Sequence, residues 1–266
     1  MRNLFATKKL PLKGYKDNLN EIKFVDSLSD DDLVKLNDLL PWNCFVTDRH
    51  GRRFGNSAWP GKRCEPQAVP DRRILLMNER FGLRDKHVLE FGCFEGIHTI
   101  GLAMYAKQVT AIDARIENVV KTMARCAFFG CSPTVFACDV ETGMESLASI
   151  KADVACHIGV LYHLQEPVGH LQKLAKLVTA GLLLDTHYAT DEEAQKNYRV
   201  DGSVFHYKKY REVNTSVFAG VYDHAKWLRL TDIVQILSAS GFKQVEIVET
   251  RKERNGARAL LLAERN

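Results

Sequence analysis

The chain has 266 residues, of which 45% are hydrophobic and 26% charged, a balance that excludes disordered and fibrous classes and bounds the answer to one large α/β core with an added segment. Its formal net charge of +4 admits an anionic small molecule without the clustered basic surface that a nucleic-acid backbone demands. Seven cysteines (Cys44, Cys64, Cys93, Cys126, Cys131, Cys138 and Cys156) are scattered and contain no Cys-x-x-Cys pair, the pattern of reduced thiols in a cytoplasmic protein, and no apolar run reaches membrane-spanning length.

In chain order, residues 1 to about 41 read as an appended helical segment. Ser29-Asp30-Asp31-Asp32 forms a capping signal ahead of Leu33, Leu36 and Leu40 on one helical face, and Pro41 ends it. The opening stretch from Met1 to Lys9 lacks the apolar core of a secretory signal. From Trp42 to Asp71 the chain is turn-rich and is expected to be irregular, with Trp42, Phe45, Phe54 and Trp59 giving it order. It also carries Arg49, Arg52, Arg53, Lys62, Arg63, Arg72 and Arg73. Arginines bind phosphate or carboxylate through paired bonds, so Arg53, Lys62 and Arg63 are candidate substrate residues, with a solvated charge run as the alternative.

From Arg72 onward, helix and strand signals alternate: helix 72–82, strand 87–91, helix 97–106, strand 108–112, helix 115–129, strand 134–138, strand 153–158, helix 167–179 and strand 181–186. Such a series builds a mainly parallel sheet covered on both faces. An irregular insertion is expected over 189–226. Then come a helix over 230–240 stopped by Gly241 and two apolar runs, Val245–Val248 and Ala259–Ala263, expected to form a hairpin around an Asn255-Gly256 turn.

The most informative stretch is Val88-Leu-Glu-Phe-Gly-Cys-Phe-Glu-Gly96, a buried strand running into a glycine turn. A dinucleotide fingerprint would place glycines at 92, 94 and 97, where the chain has Gly92, Phe94 and Ile97. Glu90, at the strand end, repels a pyrophosphate and suits a cation. Asp113 ends the next strand, placed to accept two ribose hydroxyls, and Asp139 ends the third.

This set resembles the first motifs of class I S-adenosylmethionine-dependent methyltransferases, whose cofactor carries a sulfonium and an ammonium. The resemblance covers about residues 72 to 265. It implies an α/β, Rossmann-like fold with a mainly parallel seven-stranded sheet, a C-terminal antiparallel hairpin and helices on both faces. It also implies an N-terminal extension over 1–71, a methyltransferase domain over 72–266, and an acceptor-site insertion at 189–226. The cofactor S-adenosyl-L-methionine is then expected at Glu90, Gly92, Cys93, Phe94, Gly96, His98, Asp113, Ala114, Arg115, Asp139, Val140 and Gly159, with Asp139 near the adenine amine.

Ligands of open parallel sheets bind beyond the carboxyl ends of the strands, and there the chain is rich in histidine. Gly159-Val-Leu-Tyr-His163 resembles the same stretch of the tRNA wobble-uridine 5-oxyacetic-acid methyltransferases and related small-molecule enzymes. If the acceptor is a hydroxyl, an imidazole is the natural base, which makes His163, His187 and His224 the catalytic candidates; each could instead cap a helix or bond a carbonyl. Tyr162, Tyr188, Tyr207 and Trp227 are candidate substrate residues beside them. His157 is expected in the core. Asp185, His187, His206 and His224 offer no compact metal-ligand spacing, so no metal is assigned.

The leading expectation is therefore O-methylation of a small-molecule hydroxyl, such as that of a sugar, a nucleotide sugar or a secondary metabolite. One alternative is a tRNA wobble-uridine methyl or carboxymethyl transferase; against it, Leu164 stands where that family has an arginine after Tyr-His. The other is a non-catalytic scaffold that keeps a cofactor pocket, against which the complete set of acids and glycines argues.

Overall fold

The computed structural model of the protein describes residues 25–48, 50–57, 64–213 and 215–265. The described chain forms two compact units, residues 25–138 and residues 139–265. The expected boundary at 71/72 falls inside the first of these.

The first unit begins with α1 (Asp30–Leu39), whose first turn is capped by the Ser29 hydroxyl accepting from Asp32 N at 3.1 Å. The stretch expected to be irregular contains a small antiparallel hairpin, β1 (Phe45–Thr47) and β2 (Arg53–Gly55). Asp48 closes it, with one carboxylate oxygen accepting from His50 N and Arg52 N, as an Asx turn does. Next come α2 (Arg72–Phe81), capped by Asp71 and ended by left-handed Gly82, then β3 (His87–Phe91), α3 (Ile97–Ala103), β4 (Gln108–Asp113), α4 (Ile116–Phe128) and β5 (Thr134–Ala137). The strands β3, β4 and β5 pair in parallel in that order. Val88 to Phe91 are buried without alternation, the signature of a strand covered on both faces.

The N-terminal extension is part of this core. Val25, Leu33, Leu36, Trp42, Cys44, Val46 and Phe54 pack with Ile97 and Ile100 of α3 and with Cys126 and Phe129 at the end of α4. Buried side chains fasten it further: Glu95, in the glycine turn, accepts from Asn43 N, Asn43 Nδ2, Cys44 N and Lys121 Nζ.

The second unit contains β6 (Ala152–Ile158), α5 (Pro167–Leu177), β7 (Val178–His187), β8 (Lys196–Val200), β9 (Ser203–Arg211), β10 (His224–Leu228), α6 (Leu230–Ala239), β11 (Gln244–Glu253) and β12 (Gly256–Glu264). Here β6 pairs with β7 in parallel, β12 with β7 antiparallel, and β11 with β12 antiparallel. Three main strands in the first unit and four in the second supply the expected seven, mostly parallel, with the expected closing hairpin. Among the described residues no helix is long and apolar enough to cross a membrane.

Two expectations are corrected. The insertion is not irregular: β8, β9 and β10 form a three-stranded antiparallel sheet. Its first hairpin turns on Asp201 and Gly202, both at positive φ (49° and 80°), the Asp-Gly pair that a tight two-residue turn favours. The final hairpin turns on Arg254 and Asn255, because Glu253 pairs with Gly256. Gly256 serves a different need: a Cβ there would lie 2.9 Å from Cζ3 of Trp227.

Candidate functional site

In the first unit, β3 runs into a turn that only a glycine-rich segment can make. Gly92 and Gly96 have φ of 73° and 79°, and between them Phe94, not a glycine, holds a φ of 51°. A side chain in this left-handed region costs roughly 1–2 kcal/mol, and here that is offset by a bond from Phe94 N to Asp113 Oδ2 at 3.0 Å. The turn is fixed to β4 by Gly92 N and Cys93 N, both donating to the Ile112 carbonyl. Gly96 lies so close to α4 that a Cβ would sit 3.1 Å from the Thr122 Cα.

Glu90 is buried beneath this turn. Its Oε2 accepts from the Thr99 hydroxyl at 2.6 Å, while Oε1 has no hydrogen-bond partner among the described residues. Burial pushes its carboxyl up to about 7, the Thr99 bond pulls it down, and the charge of Asp113 adds to the rise. A buried carboxylate oxygen without a donor is expensive, and an ammonium is a group that would satisfy it. Asp113 accepts from Phe94 N, Arg115 N and Asn118 Nδ2. Three of its roughly four acceptor positions are thus used, leaving room for a hydroxyl donor. Burial raises its carboxyl against the pull of those donors. Ala114 is exposed beside it. The Cys93 thiol is buried, accepts from the Thr122 hydroxyl and is pushed well above the usual thiol range by that burial. His98 is drawn to Arg73 at 3.1 Å and to Asp71 at 3.9 Å. Burial alone would raise the Asp71 carboxyl, but the Arg73 bond and charge hold it well below the usual range.

The chemistry-bearing acids and glycines of this cradle therefore fit a ligand with a positive amine end and a hydroxylated ring. A cavity of about 300 Å³ in the same unit, lined by Lys107, Gln108, Phe129, Ser132 and Thr134 among others, lies at the opposite, amino-terminal ends of β4 and β5.

In the second unit, Gly159 follows β6 with a φ of 79°, and its N–H donates to the Asp185 carbonyl. One turn of 3-10 helix, Leu161–His163, then presents Tyr162 and His163. His163 Nδ1 lies 2.7 Å from Glu212 Oε1, and its Nε2 has no bond among the described residues. Tyr162 packs edge-on against His187 at 4.7 Å. His187 stacks on Trp227 at 4.9 Å, and Tyr210 stacks on Trp227 at 4.5 Å. His187 bonds the Ala257 carbonyl through Nδ1; burial above all, then the charge of Arg258, holds it below the usual imidazole range. His224 contacts Asp223 at 2.7 Å and Gln165 at 3.2 Å. Of the three candidate bases, His187 is enclosed by rings and only His163 meets a buried carboxylate.

Asp139 also finds a partner in this unit. Its Oδ2 accepts from the Tyr222 hydroxyl at 2.6 Å, its Oδ1 accepts from Glu141 N, and the neighbouring Val140 is buried. Tyr207 meets Tyr198 edge-on at 5.4 Å, and the Tyr188 hydroxyl is raised by burial. Arg53 lies in the first unit, over the Phe45 ring at 4.5 Å. Lys62 and Arg63 lie outside the described residues. Asp185 is not available to a metal as a bare ligand, since Arg251 and Arg258 both bond it. His157 is in the core as expected, paired with His170 at 2.9 Å.

Sequence reasoning missed Glu95, Glu212, Arg251 and Arg258. Glu95 stands inside the glycine turn and could have been noticed; Glu212 gains its meaning only from a fold that brings it to a histidine 49 residues away.

Comparison with known proteins identifies the family and the fold. Residues 67–247 match the family model described as methyltransferase domain. The ubiquinone biosynthesis O-methyltransferase of Vibrio cholerae is 25% identical over 178 residues, 67% of this chain and 69% of that protein. The tRNA U34 carboxymethyltransferase of Aliivibrio fischeri is 27% identical over 261 residues, 92% of this chain and 71% of that one. Among solved structures, the N-terminal domain of EvdMO1 with S-adenosylhomocysteine bound superposes with a TM-score of 0.73 at 24% identity, covering 88% of this chain and 95% of that one, which bears out the fold. With the family model spanning most of the chain and a cradle suited to a sulfonium cofactor, the protein belongs to the methyltransferase-domain family and is an S-adenosylmethionine-dependent methyltransferase.

Proposed function

We propose that the protein methylates a hydroxyl of a small molecule, such as a sugar, a nucleotide sugar or a secondary metabolite, with His163 as the base. One observation carries this reading: among the described residues His163 keeps Nε2 unbonded while Nδ1 is held on the buried carboxylate of Glu212. Amines and carbanions need no such base, whereas a hydroxyl must lose a proton as its oxygen attacks. Glu90 would hold the cofactor's ammonium end and Asp113 its ribose. When bound, the cofactor supplies an electrophilic methyl group on a sulfonium. In the second unit His163 Nε2 would take the hydroxyl proton, and the partly exposed Tyr162 and Tyr210 offer rings for the rest of the acceptor, whereas Trp227, a candidate from the sequence, is buried beneath His187 and Tyr210. Two relatives favour oxygen: the ubiquinone enzyme is an O-methyltransferase by name, and the EvdMO1 domain has been crystallised with S-adenosylhomocysteine and D-fucose. The scatter of the seven cysteines along the chain, without a Cys-x-x-Cys pair, supports the cytoplasm as the place of action.

A second reading, transfer to the wobble uridine of tRNA, is favoured by the length of the match to the carboxymethyltransferases, 92% of this chain. The decisive assay supplies S-adenosylmethionine with a panel of sugars, nucleotide sugars and phenols in one arm and undermodified tRNA in the other, and follows S-adenosylhomocysteine release. Turnover with a hydroxyl acceptor is expected, falling at least a hundredfold in His163→Ala with S-adenosylhomocysteine affinity unchanged. Turnover on tRNA alone, or an undiminished His163→Ala rate, sinks the proposal.

A further inference from the structure

We infer that Glu212 is a positioning residue that fixes which nitrogen of His163 carries the proton. The inference rests on reading His163 as the base, and it is carried by three features of the second unit. First, Glu212 Oε1 lies 2.7 Å from His163 Nδ1, and the two side chains are only 3% and 17% exposed. A carboxylate accepts only, so the neutral ring must place its hydrogen on Nδ1 and its lone pair on Nε2.

Second, Glu212 is itself held. Its other oxygen accepts from Gly220 N at 3.2 Å, and its own N–H donates to the Asp223 carbonyl at 2.9 Å. Third, the segment carrying Gly220 can lie on His163 only because that residue has no side chain: a Cβ there would meet the His163 carbonyl oxygen at 2.8 Å and the His163 Cβ at 3.2 Å. The other two candidate histidines lack such an arrangement. His187 bonds a neutral carbonyl through Nδ1 and meets a carboxylate only at 3.7 Å, that of Glu253, which is 36% exposed and shared with Arg251 and Arg258, while Asp223, the partner of His224, is 81% exposed, so that pair stands in high dielectric.

The consequence is chemical. The bond holds the ring's orientation and tautomer, so that the Nε2 lone pair is the one presented to an incoming proton.

The test is nitrogen-15 NMR of the full chain with labelled histidine, saturated with S-adenosylhomocysteine, in wild type, Glu212→Gln and Glu212→Asp. His163 is assigned by its loss in His163→Gln. The expected result is a wild-type His163 protonated at Nδ1 when neutral, a shift toward the Nε2-protonated ring in Glu212→Gln, whose amide nitrogen faces the imidazole while its oxygen keeps the Gly220 bond, and recovery of the wild-type tautomer in Glu212→Asp. An unchanged tautomer in Glu212→Gln overturns the inference. Should that variant fail to fold, Glu212→Asp carries the test alone, with the wild-type tautomer expected and a shift to the Nε2-protonated ring overturning it. Because the spectrum reads the tautomer directly, its failure is distinct from failure of the base assignment, which an undiminished His163→Ala turnover would reveal.

Discussion

The two units treat a buried carboxylate in opposite ways. In the second unit Asp185 is fully enclosed and bonded by two arginines, Arg251 and Arg258, which themselves share Glu253. In the first, Glu90 is equally enclosed, yet among the described residues it receives a single hydroxyl bond and one of its oxygens has no donor. Both sit near the carboxyl ends of parallel strands, so strand position does not distinguish them. What differs is the completeness of the shell. A complete shell serves the fold, and an incomplete one, retained at the expense of stability, marks where a ligand supplies the missing partner.

The comparison breaks first at Asp185. Replacing it with Asn leaves two half-buried guanidinium groups facing a neutral amide, which by the behaviour of broken buried pairs costs roughly 3–5 kcal/mol. A large fall in denaturation midpoint is expected, with S-adenosylhomocysteine affinity per folded molecule unchanged. Equal stability together with lost affinity would show that Asp185 belongs to the ligand. The next largest effect is expected at the glycine turn. Gly96→Val places a β-branched residue at a φ of 79° with its Cβ 3.1 Å from the Thr122 backbone. Left-handed strain and overpacking together cost about 2–4 kcal/mol. Calorimetry should find S-adenosylhomocysteine binding abolished, and wild-type affinity would separate the turn from the cofactor.

The same contrast explains what could be read from the sequence. Glu90, Gly92, Gly96 and Asp113 were legible because a strand, a turn and the next strand end are close in the chain, and each residue type is required by local geometry. The capping role of Ser29 was legible for the same reason. Arg251, Arg258 and Glu212 were not, since nothing near them in sequence distinguishes them from surface charges; their partners arrive from 66, 73 and 49 residues away. The β8–β9 hairpin lies between these cases. Asp201-Gly202 between alternating aromatic and charged residues is a local signal that favoured strands, and the richness in Lys and Tyr obscured it.

The finest test of the comparison is the pH dependence of Glu90. Burial pushes its carboxyl up from the ordinary 4.5 to about 7, so between these two values the folded state holds a proton that the unfolded chain has lost. Stability from this group is therefore full below about pH 4.5, declines as pH rises toward 7 and is flat above, a loss on the order of 3 kcal/mol at most. His170, which burial lowers to about 4, acts in the reverse direction, losing stability as pH falls below 6.5, so the measurement must be the difference between wild type and Glu90→Gln. Glu90→Gln keeps the shape and the Thr99 bond but removes the charge. At pH 8 it should unfold later than wild type and bind S-adenosylhomocysteine on the order of ten- to a hundredfold more weakly, the worth of a charge-assisted bond. Wild-type affinity should climb as pH passes through 7, when the carboxylate forms, and the variant's should not. A variant no more stable than wild type at pH 8 would mean that Glu90 has a complete shell after all, and the distinction between the two units would fail at the residue on which it rests.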